Sequence, residues 1–191
     1  YGSAIGVDDS KIYLGKGKDD FNLEVLGGSN SSGLVSSTLN AGRGRDEINI
    51  SVEAAGAINR GYYLGKSSEE EEGAYASEYS YYWSNGVYSG NWSYDNENSY
   101  ENSWDYSAYG AAIGVQDSII KLGKGSDKLT INATSDGTNR AIALENSIVK
   151  GGAGSDKIYL YGDIYDSKIY LGSGNDLIRI EGGGRSFVSG G

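Results

Sequence analysis

The chain has 191 residues, 31 of them Gly, and contains no Pro, Cys, Met or His. Those absences exclude a Ser-His-Asp triad, a cysteine nucleophile, a zinc cluster and any disulfide framework, so no catalytic residues are assigned and an enzyme is not expected. The net charge of −10 is uneven. Residues 67–109 carry nine acids (Glu69, Glu70, Glu71, Glu72, Glu78, Asp95, Glu97, Glu101, Asp105) and no Lys or Arg, against 17 acids and 16 bases elsewhere.

In chain order, AIGVDDS (4–10) leads into SKIYLGKGKDDFNLEV (10–25), and SSTLNAGRGRDEINIS (36–51) repeats the second of these. GYYLGKSSEEEE (61–72) is a decayed copy, with Ser67 in place of the second Gly and Glu69 in place of the Asp. After the acidic segment, AIGVQDS (112–118) leads into SIIKLGKGSDKLTINA (118–133), and AIALENS (141–147) into SIVKGGAGSDKIYLYG (147–162). SKIYLGSGNDLIRIEG (167–182) follows. The common pattern is Ser-x-apolar-x-apolar-Gly-x-Gly-x-Asp-x-apolar-x-apolar.

Alternation on both sides of the Gly turn predicts strands, because side chains on a strand point to opposite faces with period two. The expected inward set before the turn is Ile12/Leu14, Leu39/Ala41, Tyr62/Leu64, Ile120/Leu122, Val149/Gly151 and Ile169/Leu171. After the turn it is Phe21/Leu23, Ile48/Ile50, Leu129/Ile131, Ile158/Leu160 and Ile178/Ile180. A weaker strand precedes each Ser: Ile5/Val7, Leu34, Ala55/Ala57, Ile113/Val115, Ile142/Leu144 and Ile164. No unit can bury so few apolar groups alone, whereas stacked units can, each strand pairing in parallel with its equivalent at ~4.8 Å.

The expected fold is therefore all-β, a parallel β-solenoid (β-helix or β-roll) of about six to seven coils. Coils one to three fall in 1–66, the insert in 67–109, and coils four to six with the start of a seventh in 110–191. The absence of Pro fits strands that lie inside ladders, where Pro would remove a hydrogen bond. Both ends carry repeat sequence in register: YGSAIGV at the start matches YGAAIGV (109–115), and SFVSGG (186–191) matches SIVKGG (147–152). This predicts continuation along the axis into further copies or more of the same chain.

The insert holds all three Trp and nine of the 17 Tyr. Tyr82, Tyr88, Tyr94, Tyr100 and Tyr106 recur every sixth residue, with Trp92 and Trp104 in the same parity. An extended chain here would carry one aromatic and one polar face. WSYD (92–95) and WDYS (104–107) are expected to pair as a hairpin. Its aromatic face would cover the body of the protein, or meet a neighbouring subunit or a glycan.

At its turns the chain resembles the RTX, or haemolysin-type, calcium-binding repeats, whose nonapeptide is G-G-x-G-x-D-x-apolar-x. GGAGSDKIY (151–159) matches every fixed position; LGSGNDLIR (171–179), LGKGSDKLT (122–130), LGKGKDDFN (14–22) and AGRGRDEIN (41–49) miss only the first Gly. The resemblance implies a secreted or cell-surface protein folding around Ca²⁺. Its ligands would be Asp19, Asp46, Asp127, Asp156 and Asp176, with the carbonyls of Gly15, Gly17, Gly42, Gly44, Gly123, Gly125, Gly152, Gly154, Gly172 and Gly174. Two features depart from the family: it usually places two such turns on each coil, against one here, and Lys16, Lys18, Arg43, Arg45 and Lys124 occupy variable turn slots. A stacked Asp row repels itself, and either Ca²⁺ or those Lys and Arg residues would supply the counter-charge.

Three functions follow as expectations. The first is a structural subunit of an extracellular filament, sheath or surface layer, assembling head to tail with copies of itself. The second is a calcium-dependent adhesin or glycan-binding module using the insert. The third is a polysaccharide lyase or epimerase, which needs a cleft of unique residues that a repeating charge pattern does not offer. With no concentrated basic stretch in the sequence, a nucleic-acid partner is not expected, nor is a membrane span, since no apolar run approaches roughly 20 residues. N-x-S/T sequons stand at Asn30, Asn49, Asn91 and Asn132.

Overall fold

A computed structural model describes residues 3–28, 30–55, 77–84, 87–94, 104–107, 111–135 and 140–190. All the regular elements among them are strands, and no helix there is long and apolar enough to cross a membrane. Strands recur in one order. β1 (Ala4–Asp8), β2 (Lys11–Gly17) and β3 (Asp20–Gly27) make a first tier. β4 (Asn30–Val35), β5 (Thr38–Gly44) and β6 (Glu47–Ala54) make a second. The insert supplies β7 (Ser77–Ser84), β8 (Val87–Tyr94) and β9 (Trp104–Ser107). Then come β10 (Ala111–Gln116), β11 (Ile119–Gly125) and β12 (Lys128–Ser135), and after them β13 (Arg140–Glu145), β14 (Ile148–Ala153) and β15 (Lys157–Tyr161). In the fifth tier β16 (Asp163–Ser173) spans two strand positions and β17 (Leu177–Glu181) the third; β18 (Gly184–Ser189) pairs on β16 beyond it.

Equivalent strands pair in parallel, giving three ladders. The first joins β1, β4, β10, β13 and the start of β16. The second joins β2, β5, β11, β14 and the rest of β16. The third joins β3, β6, β12, β15 and β17. The apolar alternation sets this register, because a one-residue slip would turn every buried side chain outward.

One expected feature of the stack is absent from its place. The second tier pairs directly with the tier at 111–135, Ser31 opposite Ala112 and Leu39 opposite Ile120, so no coil lies between them. The decayed copy at 61–72 lies outside the described residues. Its sequence carries a reason for exclusion from the ladder. At the second turn Gly of each stacked tier, an added Cβ would fall 1.4–1.7 Å from the carbonyl oxygen of the tier before; Ser67 brings a Cβ to that slot.

The core lies between the ladders. Leu39, Ile48, Ile50, Ile120, Leu122, Leu129, Ile131, Ile158 and Leu160 are buried, as the alternation predicts. On the first ladder Leu34, Val115, Ile142, Leu144 and Ile164 are buried as expected, whereas Ile5 is 54% exposed, and small residues that the alternation does not mark, Gly33, Ala112, Gly114 and Ala143, are buried as well. The third ladder dictates this: a Cβ on Gly33 would meet the Cγ2 atoms of Ile50 and Val52 at 2.9 Å, and one on Gly114 the Cγ2 of Ile131 at 2.3 Å. At Gly33 and Gly114 the two sides approach too closely for a larger residue. Val25, Val52 and Ala133, which extend the third-ladder strands beyond the repeat pattern, are also core.

The insert forms a separate antiparallel sheet, β7-β8-β9. β9 pairs with Val87–Gly90 rather than with 92–95, and Trp92 stands opposite Tyr79 on β7. The hairpin expected between 92–95 and 104–107 is thus shifted in register, 104–107 pairing with 87–90 on one edge of β8 while β7 takes the other edge.

Candidate functional site

Two corners of each tier carry side chains that bond from tier to tier. The first is the Ser that opens each repeat. Ser37 Oγ accepts the Ser10 N–H at 2.9 Å, Ser118 Oγ the Ser37 N–H at 2.9 Å, Ser147 Oγ the Ser118 N–H at 3.1 Å, and Ser167 Oγ the Ser147 N–H at 3.1 Å. Each hydroxyl also donates within its own tier, as Ser37 does to the Val35 carbonyl and Ser118 to that of Gln116. The residue before each Ser makes the bend with positive φ, between 42° and 49°: Asp9, Ser36, Asp117, Asn146 and Asp166. Asp and Asn tolerate that conformation better than most residues. The sequence shows this Ser as part of the repeat, but its double bond to two tiers is visible only once the tiers are stacked.

The second corner is the Gly-x-Gly-x-Asp turn. All ten expected Gly residues have positive φ, from 94° at Gly172 to 152° at Gly44, and they stack in two columns. The five Asp residues form a continuous row. Asp46 Oδ1 accepts the Asp19 N–H at 2.9 Å, Asp127 the Asp46 N–H at 2.8 Å, Asp156 the Asp127 N–H at 2.9 Å, and Asp176 the Asp156 N–H at 2.9 Å. Asp46, Asp127 and Asp156 are buried.

The two rows differ in one respect. A hydroxyl both donates and accepts, but an ionised carboxylate only accepts. The Oδ2 atoms of Asp19, Asp46, Asp127 and Asp156 are buried without a hydrogen-bond partner. Burial pushes the Asp127 carboxyl up to about 6, helped by the charges of Asp156 and Asp46 and opposed by its backbone hydrogen bond. Asp156 is raised for the same first reason.

Among the described residues no Lys or Arg forms an ion pair with this row. The turn cations thus stand beyond ion-pair distance of the row. For Ca²⁺, the unpaired Oδ2 atoms are suitable hard donors. However, no three acidic side chains converge among the described residues; successive carboxylates stand one tier apart. An ion there would take most of its ligands from turn carbonyls.

Beside the row lies an open groove of about 370 Å³, lined by Lys18, Arg45, Glu47, Lys128 and Lys157 along with Asp46 and Asp127. Lys128 Nζ donates to Glu47 Oε1 at 2.8 Å. That bond holds the Glu47 carboxyl below its ordinary range and raises the Lys128 ammonium.

Of the insert residues expected at a partner contact, Tyr82, Tyr88, Trp92, Tyr94, Trp104 and Tyr106 lie on β7, β8 and β9, and Tyr100 lies outside the described residues. Tyr88 stands opposite both Trp83 and Tyr106, whereas Tyr82 stands opposite Ser89. The register thus puts Tyr82 in the other parity class from Tyr88, and Trp83 and Tyr79 in its place.

Comparison with family models, with curated proteins and with solved structures found no match. The likeness to calcium-binding repeats rests on the turn motif alone.

Proposed function

We propose that the three ladders are the sides of a β-solenoid and that the chain is a structural building block of an extracellular filament, sheath or surface layer. Copies stack head to tail through the strands of their end tiers. The observation that carries this reading is the burial gradient along the stack. Ile50, Ile131 and Leu160 are at most 1% exposed, and Ile180, next in the same column, is 39% exposed. Ile169 is fully buried, and Val188 beyond it is 42% exposed. At the other end Ile12, Leu14, Phe21 and Leu23 are only partly buried. Among the described residues the Ser10 hydroxyl and the Asp19 carboxylate accept no N–H, unlike every equivalent below them. Apolar columns and hydrogen-bond rows that run out at an open strand edge template further strands. Repetition of one such contact gives a non-closing, heterologous assembly. Sedimentation against concentration, with electron microscopy, tests the reading: filaments of uniform width are expected, and a monodisperse monomer at all concentrations contradicts it.

A calcium-dependent adhesin is the second reading, and the unpaired Oδ2 row favours it. If Ca²⁺ occupies that row, a chelator lowers the melting temperature and added Ca²⁺ restores it. No effect of either removes this reading and leaves the first intact.

A further inference from the structure

The second ladder gathers cations that the sequence scatters. Within its strands stand Lys11, Lys16, Arg43, Lys121, Lys124, Lys150 and Lys168, and its strand segments contain no acid. None of the seven is ion-paired among the described residues. Lys16, Arg43 and Lys124 stand directly opposite one another on successive tiers, as do Lys121 and Lys150. Like charges opposite each other at ~4.8 Å are destabilising. A chain of net charge −10 thus keeps one ladder whose only charged residues are cations, several of them stacked on one another.

We propose that this face binds a linear acidic polysaccharide, lying along the tier axis with its carboxylate or sulfate groups on the cation columns. An acidic glycan with a charge on every sugar spaces its charges comparably with the tiers, and one with a charge on every second sugar at about every other tier. Duplex nucleic acid carries one charge per ~1.7 Å and is read in its grooves, which a flat sheet face does not enter. Tyr13 opens the column that contains Lys121 and Lys150, and Tyr170 follows Lys150 in it; they are 68% and 38% exposed. They offer rings on which sugar C–H faces can stack. This site is separate from the insert and does not depend on filament formation.

The test uses the full chain with polygalacturonate, neutral dextran and single- and double-stranded DNA as probes, by calorimetry at low and high salt. Polygalacturonate is expected to bind, to weaken as salt screens the contact, and to outcompete DNA; dextran is not expected to bind. The triple variant Lys16→Ser, Arg43→Ser, Lys124→Ser gives its column residues like the Ala153 and Ser173 already in later tiers. It should lose roughly tenfold or more in affinity. Lys121→Asn with Lys150→Asn, copying Asn40 of the same column, provides a second variant should the first fold poorly. Glu24→Ser on the third ladder should leave affinity unchanged or raise it. No binding at low salt, or binding unaltered in both cation variants, overturns the proposal. Preference for DNA overturns its ligand class.

Discussion

The inner tiers and the first tier share one sequence pattern but not one environment. At the second turn glycine, Gly44, Gly125 and Gly154 each sit under a carbonyl of the tier before, where an added Cβ would fall at 1.4 Å; the same position in the first tier, Gly17, has nothing within 4 Å. Leu39 and Ile120 are fully buried, and their equivalent Ile12 is not. The same residues are thus rigidly specified or nearly free according to whether a tier lies above them. Burial here is a property of the stack rather than of the repeat, as expected where each unit contacts only its neighbours.

The sharpest way to break this comparison is a matched pair of substitutions. Gly44→Ala drives a methyl into the Gly17 carbonyl and should cost more than about 4 kcal/mol, enough to unfold the chain. Gly17→Ala meets only backbone strain from its φ of 124° and should cost about 1–2 kcal/mol. Denaturant unfolding of the two variants measures the gap; equal losses would mean that the tiers are not stacked as described. Next in size is Ile131→Ala, a fully enclosed side chain expected to cost about 3–4 kcal/mol, against roughly half of that for Leu23→Ala, which is already partly open.

The Asp row gives a pH dependence in the inner tiers. Asp127 is raised from 3.8 to about 6, so the folded state holds its proton more tightly than the unfolded state. Stability from this group is therefore fully present below 3.8 and is lost as pH rises through about 6. The loss is on the order of 2 kcal/mol once solvent screening of the row is allowed for. Melting temperature measured across that window should fall with rising pH, and Asp127→Asn should flatten the slope. A slope unchanged in Asp127→Asn would mean that this carboxyl does not set the pH dependence. The smallest effect falls on the Ser row. Ser118→Ala leaves the buried Ser37 N–H unpaired and should cost about 1–2 kcal/mol. Ser10→Ala, whose hydroxyl bonds only its own tier, should cost less than about 1 kcal/mol, as urea unfolding of both will measure.

Much of this fold is legible in the sequence because its information is local and repeated. The alternation around Gly15, Gly42, Gly123, Gly152 and Gly172 identifies the strands of the second and third ladders and most of their buried residues. The inward Gly and Ala of the first ladder are not legible, because their size is set by contact with Ile50, Val52 and Ile131 on another ladder. The direct step from the second tier to residues 111–135 escapes the sequence for a similar reason: a decayed motif looks like a coil until the clearance above its second turn position is known. The Asp row was recognisable as a row. That its Oδ1 atoms are spent on the N–H groups of the neighbouring tier, leaving Oδ2 alone, depends on the stacking geometry. The cationic face was hidden because its residues come from strands far apart in the chain.

Axial continuation is tested most directly at Gly17, where an added Cβ would meet nothing within 4 Å among the described residues. A Cβ at this position points towards the tier before, as Gly44, Gly125, Gly154 and Gly174 all demonstrate. In Gly17→Ala that methyl would stand in the way of an incoming copy while meeting no atom within 4 Å inside the chain, at the cost only of the backbone strain from its φ of 124°. Wild-type protein and Gly17→Ala, matched for folded fraction, should be followed by light scattering and electron microscopy under identical conditions. The account predicts that wild-type protein elongates and the variant remains monomeric or stops at short assemblies. Filaments of equal length and number from both proteins would contradict it.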